Sequence, residues 1–111
     1  MAIQFYDNEY RRDDQQTNFI YVERVYCFAW HNFTEEHWGE LSRVYLRLPG
    51  EMFVADVPFW FGRDERSPPW LYASVEPSGL QVCGVLSEAD WIRWDEQFRA
   101  EAGHLPSFEV Q

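Results

Sequence analysis

The chain has 111 residues, 46% of them hydrophobic, and its nineteen acidic and nine basic residues give a formal net charge of −10. We expect one globular domain over 1–111, because a chain of this size buries about two-thirds of its unfolded surface and needs no disulfide or metal. Every basic residue is an arginine, which excludes lysine chemistry such as Schiff-base formation, and the acidic balance argues against direct nucleic-acid binding.

The N-terminal segment 1–18 is predicted to be only partly ordered. Residues 3–6 form a possible short strand, and the polar stretch 7–16 reads as a loop, the part of the chain that we expect to be most mobile. The first residues lack the basic and long apolar regions of a signal peptide, and apolar stretches stay well under the ~20 residues of a membrane helix. We therefore expect a cytoplasmic protein that does not associate with membranes.

Residues 19–30 predict a long central strand. The segment is rich in β-branched and aromatic residues on both alternating faces, and the charged pair Glu23–Arg24 indicates a bulge. Cys27 and Cys83 both lie in apolar, strand-like segments, where a cysteine usually behaves as a small buried hydrophobe. A disulfide or a reactive thiol is the alternative for the two cysteines.

The next segment predicts a helix. Thr34 is a suitable N-cap, two glutamates follow in the first turn, and Pro49–Gly50 ends the element. An apolar stripe supports this prediction with Trp38, Leu41, Val44, Tyr45 and Leu48. A strand over 43–48 is the competing interpretation, because apolar and polar residues also alternate there.

A strand is predicted at 52–57, followed by Pro58, an aromatic stretch and a polar loop at 63–69.

The clearest structural signal in the sequence is a hairpin that joins strands 70–76 and 80–86. A two-residue turn would pair Val75 with Leu80, and a three-residue turn would pair Val75 with Gln81. The sequence leaves both registers open.

Ser87 begins a second predicted helix, with an apolar stripe that includes Trp91, Trp94 and Phe98, and Gly103 ends it. Asp95 and Arg99 are spaced to form a pair on its solvated surface. The tail after Gly103 predicts an edge strand that contains Phe108 and Val110. Together these elements predict an α+β fold, an antiparallel sheet with two helices packed on one face, and hence an opposite face open to a partner.

The sequence carries no pattern that names a reaction. His31, His37 and His104 fit no zinc-ligand spacing, and the serines and glycines form neither a nucleophile elbow nor a phosphate loop. We therefore predict a binding protein rather than an enzyme, with no cofactor and no metal.

Binding residues are predicted among acids that have no evident duty at a helix end and among aromatics near the 63–69 loop. Loops on a rigid scaffold often carry recognition residues, and tryptophan and tyrosine dominate binding hot spots. The predicted partner-binding residues are Asp13, Asp14, Trp60, Asp64, Glu65, Trp70, Tyr72 and Glu76.

The aromatic and acidic stretch 59–65 and the hairpin-to-helix block 70–94 resemble the small acidic immunity proteins of bacterial interbacterial toxin systems. This resemblance implies a cytosolic α+β domain that neutralises a cognate toxin, by covering a basic active-site cleft with acidic and aromatic groups. Two other interpretations stay open: a phage-type inhibitor that mimics nucleic acid, such as an anti-restriction or anti-CRISPR protein, and a homodimeric scaffolding protein.

Overall fold

The structure is a computed structural model that describes residues 3–15, 18–52 and 57–110. Its strands are β1 (Phe5–Arg12), β2 (Ile20–Tyr26), β3 (Glu51–Met52), β4 (Phe59–Trp60), β5 (Trp70–Glu76) and β6 (Gly79–Leu86), and its helices are α1 (Glu35–Arg47) and α2 (Glu88–Ala102). The six strands form one sheet in the order β1-β2-β6-β5-β4-β3, in which every pairing is antiparallel. The predicted α+β class is confirmed.

Strand β1 corrects the prediction of a polar loop at 7–16. The strand continues to Arg12 although all eight of its residues are exposed. An edge strand needs only backbone pairing on one side, so its side chains do not have to be apolar. Pairing with β2 therefore orders a segment whose composition resembles a loop. Residue 16 of the predicted loop lies outside the described residues.

Strand β2 is shorter than predicted and ends at Tyr26. The chain then makes a short 3₁₀ turn at Trp30–Asn32. The predicted bulge at Glu23–Arg24 is wrong in its position, because the shift in register lies in β1 between Asp7 and Glu9, opposite that charged pair. A bulge on either strand produces the same mismatch in the ladder.

The hairpin adopts the shorter of its two open registers. Val75 pairs with Leu80 and Glu76 with Gly79, which leaves Pro77 and Ser78 as the turn. Gly79 has a φ of 138°, and a Cβ there would strike the carbonyl oxygen of Tyr26. Glycine is therefore required at the start of β6.

Both helices begin and end close to their predicted positions. The Thr34 hydroxyl accepts a hydrogen bond from the His37 amide, and Ser87 does the same for Asp90. Helix α1 continues to Arg47, so the alternative strand over 43–48 is wrong. On its predicted stripe Trp38 is exposed, and its ring stacks on that of Trp30 in the 3₁₀ turn before the helix.

Two strand predictions need correction. Of the predicted strand 52–57, Met52 belongs to β3, Val57 lies outside the strands, and residues 53–56 lie outside the described range. The tail through Val110 forms no strand. It makes one bridge, Phe28 to Ser107, because β1 already pairs along the edge next to β2.

The main core lies between the sheet and the two helices. Trp91, Trp94 and Phe98 of α2 pack there against alternate residues of the central strands. The same alternation directs Tyr21, Glu23, Cys83 and their neighbours to the opposite side of the sheet. Both cysteines are buried and unpaired, as predicted for reduced cysteines.

Candidate functional site: the open face of the sheet

The face of the sheet opposite the helices carries the candidate site. One transverse row of residues crosses it, since Glu9 pairs with Glu23, Glu23 with Cys83, and Cys83 with Tyr72. The next row places Arg11 beside Tyr21 and Val85 beside Trp70. We call this surface the open face and define it by Glu9, Arg11, Tyr21, Glu23, Trp70, Tyr72 and Cys83, together with Glu65 from the adjoining loop.

A second, smaller apolar cluster stiffens the centre of the open face. Trp70, Cys83 and Val85 are buried there at 7%, 5% and 7% exposure, and Tyr21 and Tyr72 pack against them half-buried. The Trp70 and Tyr72 rings stack with an interplanar angle of 7° and centroids 5.8 Å apart. The open face is thus a packed aromatic platform whose tyrosines keep part of their surface in water.

The Cys83 thiol lies among tyrosine hydroxyls. The Tyr21 hydroxyl lies 3.5 Å from Cys83 Sγ, and this hydrogen bond is the main reason that the pKa of Tyr21 is raised. Burial is the main reason that the pKa of Tyr72 is raised to about 12, and interactions with Cys83 and with the Glu65 carboxylate add to the rise. Burial also raises the pKa of the Cys83 thiol. These groups stay protonated at neutral pH, so the cluster offers polar O–H tips and no activated nucleophile.

Carboxylates border this platform in an arrangement that the fold does not require. Glu9 and Glu23 are direct cross-strand partners, and like charges in that position destabilise a sheet. Arg11 offsets them in part. Its guanidinium nitrogens lie 3.5 Å from Glu9 and 3.7 Å from Asp14. The same guanidinium lies over the Tyr21 ring, 4.9 Å from its centroid.

The predicted acidic residues lie in the loop before β5, after β1 and at the end of β5. Asp64 and Glu65 are exposed in the loop before β5, where Asp64 accepts a hydrogen bond from the Arg66 amide at 2.9 Å. Asp13 and Asp14 follow β1 directly. Glu76 ends β5 and accepts a hydrogen bond from the Ser74 hydroxyl at 2.6 Å. Arg63 and Arg66 share the loop with Glu65, so the loop itself is of mixed charge.

The three predicted aromatic residues differ in location and exposure. Trp60 has 0% exposure, its indole N–H donates to the Tyr45 carbonyl at 3.1 Å, and its ring packs edge-on against Trp94. Trp60 is therefore a core residue, which corrects its assignment to a partner surface. Trp70 is also buried, beneath the open face, where it supports Tyr72. Tyr72 alone of the three has a half-exposed ring on that face.

Five residues of the open face were not among the predicted binding residues, namely Glu9, Arg11, Tyr21, Glu23 and Cys83. The two-residue alternation along β2 and β6 is the signal that could have found the last three. Glu9 could not be found in that way, because the segment that contains it was predicted to be a loop. Its position depends on pairing with β2.

A separate ionic network lies on the helix side of the sheet. Arg24 donates to Asp7 at 2.7 Å and to Asp95 at 2.9 Å, and Asp95 also accepts bonds from Arg99 and from the Tyr26 hydroxyl. Asp95 is 6% exposed, so its predicted place on a solvated helix surface is wrong, whereas its pairing with Arg99 is confirmed. This network joins β1, β2 and α2.

Two of the three histidines have local partners in the fold. His37 closes the α1 cap with Thr34, and His104 lies 2.7 Å from Glu40. Among residues 3–15, 18–52 and 57–110, no group of three or more His, Cys, Asp or Glu side chains is arranged to hold a metal ion.

The chain matches no family model, and searches of curated proteins and of solved structures gave no match either. In the part of the chain that the structure describes, neither helix is long and apolar enough to cross a membrane.

Proposed function

We propose that this protein is an immunity-type inhibitor that binds and neutralises a cognate bacterial toxin with a basic active-site cleft, such as a nuclease. The observation that carries the proposal is the open face, where carboxylates surround a packed aromatic platform. Interfaces commonly combine buried aromatic anchors with charged groups that steer association. The net charge of −10 extends the same attraction over the whole molecule.

The mixture of residues on the open face favours a protein partner over the mimicry of nucleic acid. A mimic of nucleic acid needs carboxylates in an extended array at the spacing of phosphates. Here Glu9 and Glu23 adjoin tyrosine rings and Arg11, and the loop that carries Glu65 also carries Arg63 and Arg66. Aromatic rings between charges are typical of surfaces that bind proteins.

The test is to express the product of the gene beside this one, alone and together with this protein. We expect the neighbouring product to be toxic alone, harmless when both are present, and inhibited in vitro at a one-to-one ratio. Charge reversal of Glu23 and Glu65 to lysine should weaken the complex and its dependence on salt. Reversal of Glu96 to lysine, on the exposed surface of α2, is the matched control.

Two results would overturn the proposal. The first is a toxic neighbouring product whose toxicity and activity are unaffected by this protein. The second is a stable homodimer in dilute solution that buries the open face, which would assign that face to self-association.

A further inference from the structure

We infer that the open face binds an arginine side chain of the partner, with the guanidinium held over Tyr72 and between the carboxylates of Glu23 and Glu65. This inference rests on the proposed function, because it names the surface and the chemistry by which the toxin would be held. The argument has three parts: a guanidinium that the molecule already places on this face, the sign of the surrounding charge, and the rigidity of the rings.

Arg11 shows that the open face accommodates a guanidinium. It lies over the Tyr21 ring at 4.9 Å and beside the Glu9 and Asp14 carboxylates. The position over Tyr72, in the next row of the face, likewise combines a tyrosine ring with nearby carboxylates. Glu23 lies in the same transverse row as Tyr72 with Cys83 between them, and the charge of Glu65 adds to burial and Cys83 in raising the pKa of the Tyr72 hydroxyl. No arginine of this chain is placed over Tyr72 among the described residues.

The charge on the face identifies the occupant as cationic. Glu9 and Glu23 are opposed across two strands, and a cation that lies between or beside them relieves their repulsion. A second copy of the same face would bring four such carboxylates together across a two-fold axis, which costs free energy. The face therefore suits a basic segment of another protein better than a copy of itself.

The rings favour arginine over lysine. A guanidinium is planar, is weakly hydrated and stacks on aromatic faces while it donates to carboxylates, whereas an ammonium is a compact and strongly hydrated charge. Tyr72 is held by its stack on buried Trp70 and by its neighbour Phe59, whose centroid lies 5.7 Å away. A ring that is already ordered loses little side-chain entropy when it binds.

The experiment titrates the whole chain with a blocked tri-arginine peptide and with its tri-lysine counterpart, and follows backbone amide NMR signals. We expect the arginine peptide to bind more tightly and to shift the signals of Glu23, Tyr72 and Cys83. Tyr72→Leu and Glu23→Gln should each weaken binding about threefold, the size expected for an exposed cation–π contact or surface ion pair. Glu96→Gln removes the same charge from the opposite side and should leave the site unaffected.

A second variant tests whether the positive charge of Arg11, which lies over Tyr21 on the same face, lowers the affinity of the open face for another guanidinium. Arg11→Gln removes that charge, and we expect it to tighten binding of the arginine peptide about threefold. Arg93→Gln, which removes an exposed arginine paired with Asp90 on α2, changes the net charge equally and should have a smaller effect. If both variants tighten binding equally, the change in affinity comes from the net charge alone and not from the open face, which would overturn the site.

The remaining outcomes separate this inference from the proposed function. Equal binding of the two peptides, or shifts that lie away from the open face, would overturn the arginine site. If toxin binding then survives Tyr72→Leu and Glu23→Gln, the function stands and the assigned surface is wrong. If the arginine peptide binds as expected but the neighbouring gene product is not inhibited, the surface stands and the function is wrong. Glu23→Gln serves as the readout if Tyr72→Leu fails to fold.

Discussion

Arg24 and Arg11 belong to neighbouring strands and have similar partners, but they lie on opposite faces of the sheet. Both guanidiniums contact carboxylates and lie over an aromatic ring, Phe5 for Arg24 and Tyr21 for Arg11. The Arg24 side chain is 8% exposed and that of Arg11 is 46% exposed. The same chemistry is therefore buried in the fold where helix α2 covers it and stays partly in water where none of the described elements covers it.

The largest effect should come from the covered network. Asp95→Ala leaves Arg24 buried with one carboxylate lost, and we expect the free energy of unfolding to fall by about 3–5 kcal/mol. Urea denaturation followed by circular dichroism measures the change. Glu96→Ala, one residue further along α2 and exposed, should stay within about 0.5 kcal/mol. If both variants lower the free energy of unfolding by similar amounts, burial does not make Asp95 more important to stability than Glu96.

Two tyrosines of β2 repeat the comparison on a smaller scale. Tyr26→Phe removes a buried hydroxyl that donates to Asp95 at 2.7 Å, and we expect a loss of about 1.5–3 kcal/mol. Tyr21→Phe removes the half-buried hydroxyl beside Cys83 Sγ and should cost under about 1 kcal/mol. Midpoints of urea unfolding test the order. A larger cost at Tyr21 would mean that the open face, and not the covered face, depends on its hydroxyl.

High pH should destabilise the protein through tyrosines on both faces. Burial raises the pKa of Tyr26 and Tyr45 on the covered face and that of Tyr72 to about 12 on the open face. In the unfolded chain tyrosine ionises near its ordinary pKa of about 10. As the pH rises from 10 to 12 the unfolded state loses protons that the native state keeps, so the free energy of unfolding falls.

Urea midpoints measured from pH 8 to 12 check this dependence. The midpoint should be level below about pH 10 and fall above it, and Tyr72→Phe should make the fall shallower because one retained proton is removed. A midpoint that is level up to pH 12 would contradict the assignment of these tyrosines to protonated, partly or fully buried sites.

The smallest effect on stability should be that of Arg11. Its contacts at 3.5 and 3.7 Å are exposed ion pairs, and Arg11→Gln should change the free energy of unfolding by about 0.5 kcal/mol or less. The two faces should therefore differ most clearly in the loss of unfolding free energy caused by Asp95→Ala and by Arg11→Gln. A loss above about 2 kcal/mol would make Arg11 a structural residue and would remove its role as a model for the partner's arginine.

Local sequence rules predicted the helices well. Thr34 and Ser87 are N-caps as predicted, and the helix that follows Ser87 buries Trp91 and Trp94. Caps and helical stripes depend on residues three or four apart, so a short window of sequence contains the necessary information. The hairpin was found for the same reason.

The candidate site was predicted only in part. Glu65 and Tyr72, both among the predicted binding residues, belong to the open face, whereas Trp60 belongs to the core. Trp60 and Trp70 have similar local sequence surroundings, and they differ because β4 and β5 direct their side chains to opposite faces. Glu9 was missed because the order of an edge strand depends on its partner strand rather than on its own composition.

The sequence by itself determined the class of fold, both helices, the existence of the hairpin and the acidic character of the surface, because each depends on composition or on short-range periodicity. Only the tertiary structure decided the register of the hairpin, the extent of β1, and the burial of Asp95 on the covered face as opposed to the half-buried position of Glu23 on the open face. Each of these depends on contacts between residues far apart in the chain, where backbone pairing and packing, and not local propensity, select the arrangement of lowest free energy. The −10 charge thus becomes informative about function through the one face of the sheet that the helices leave open.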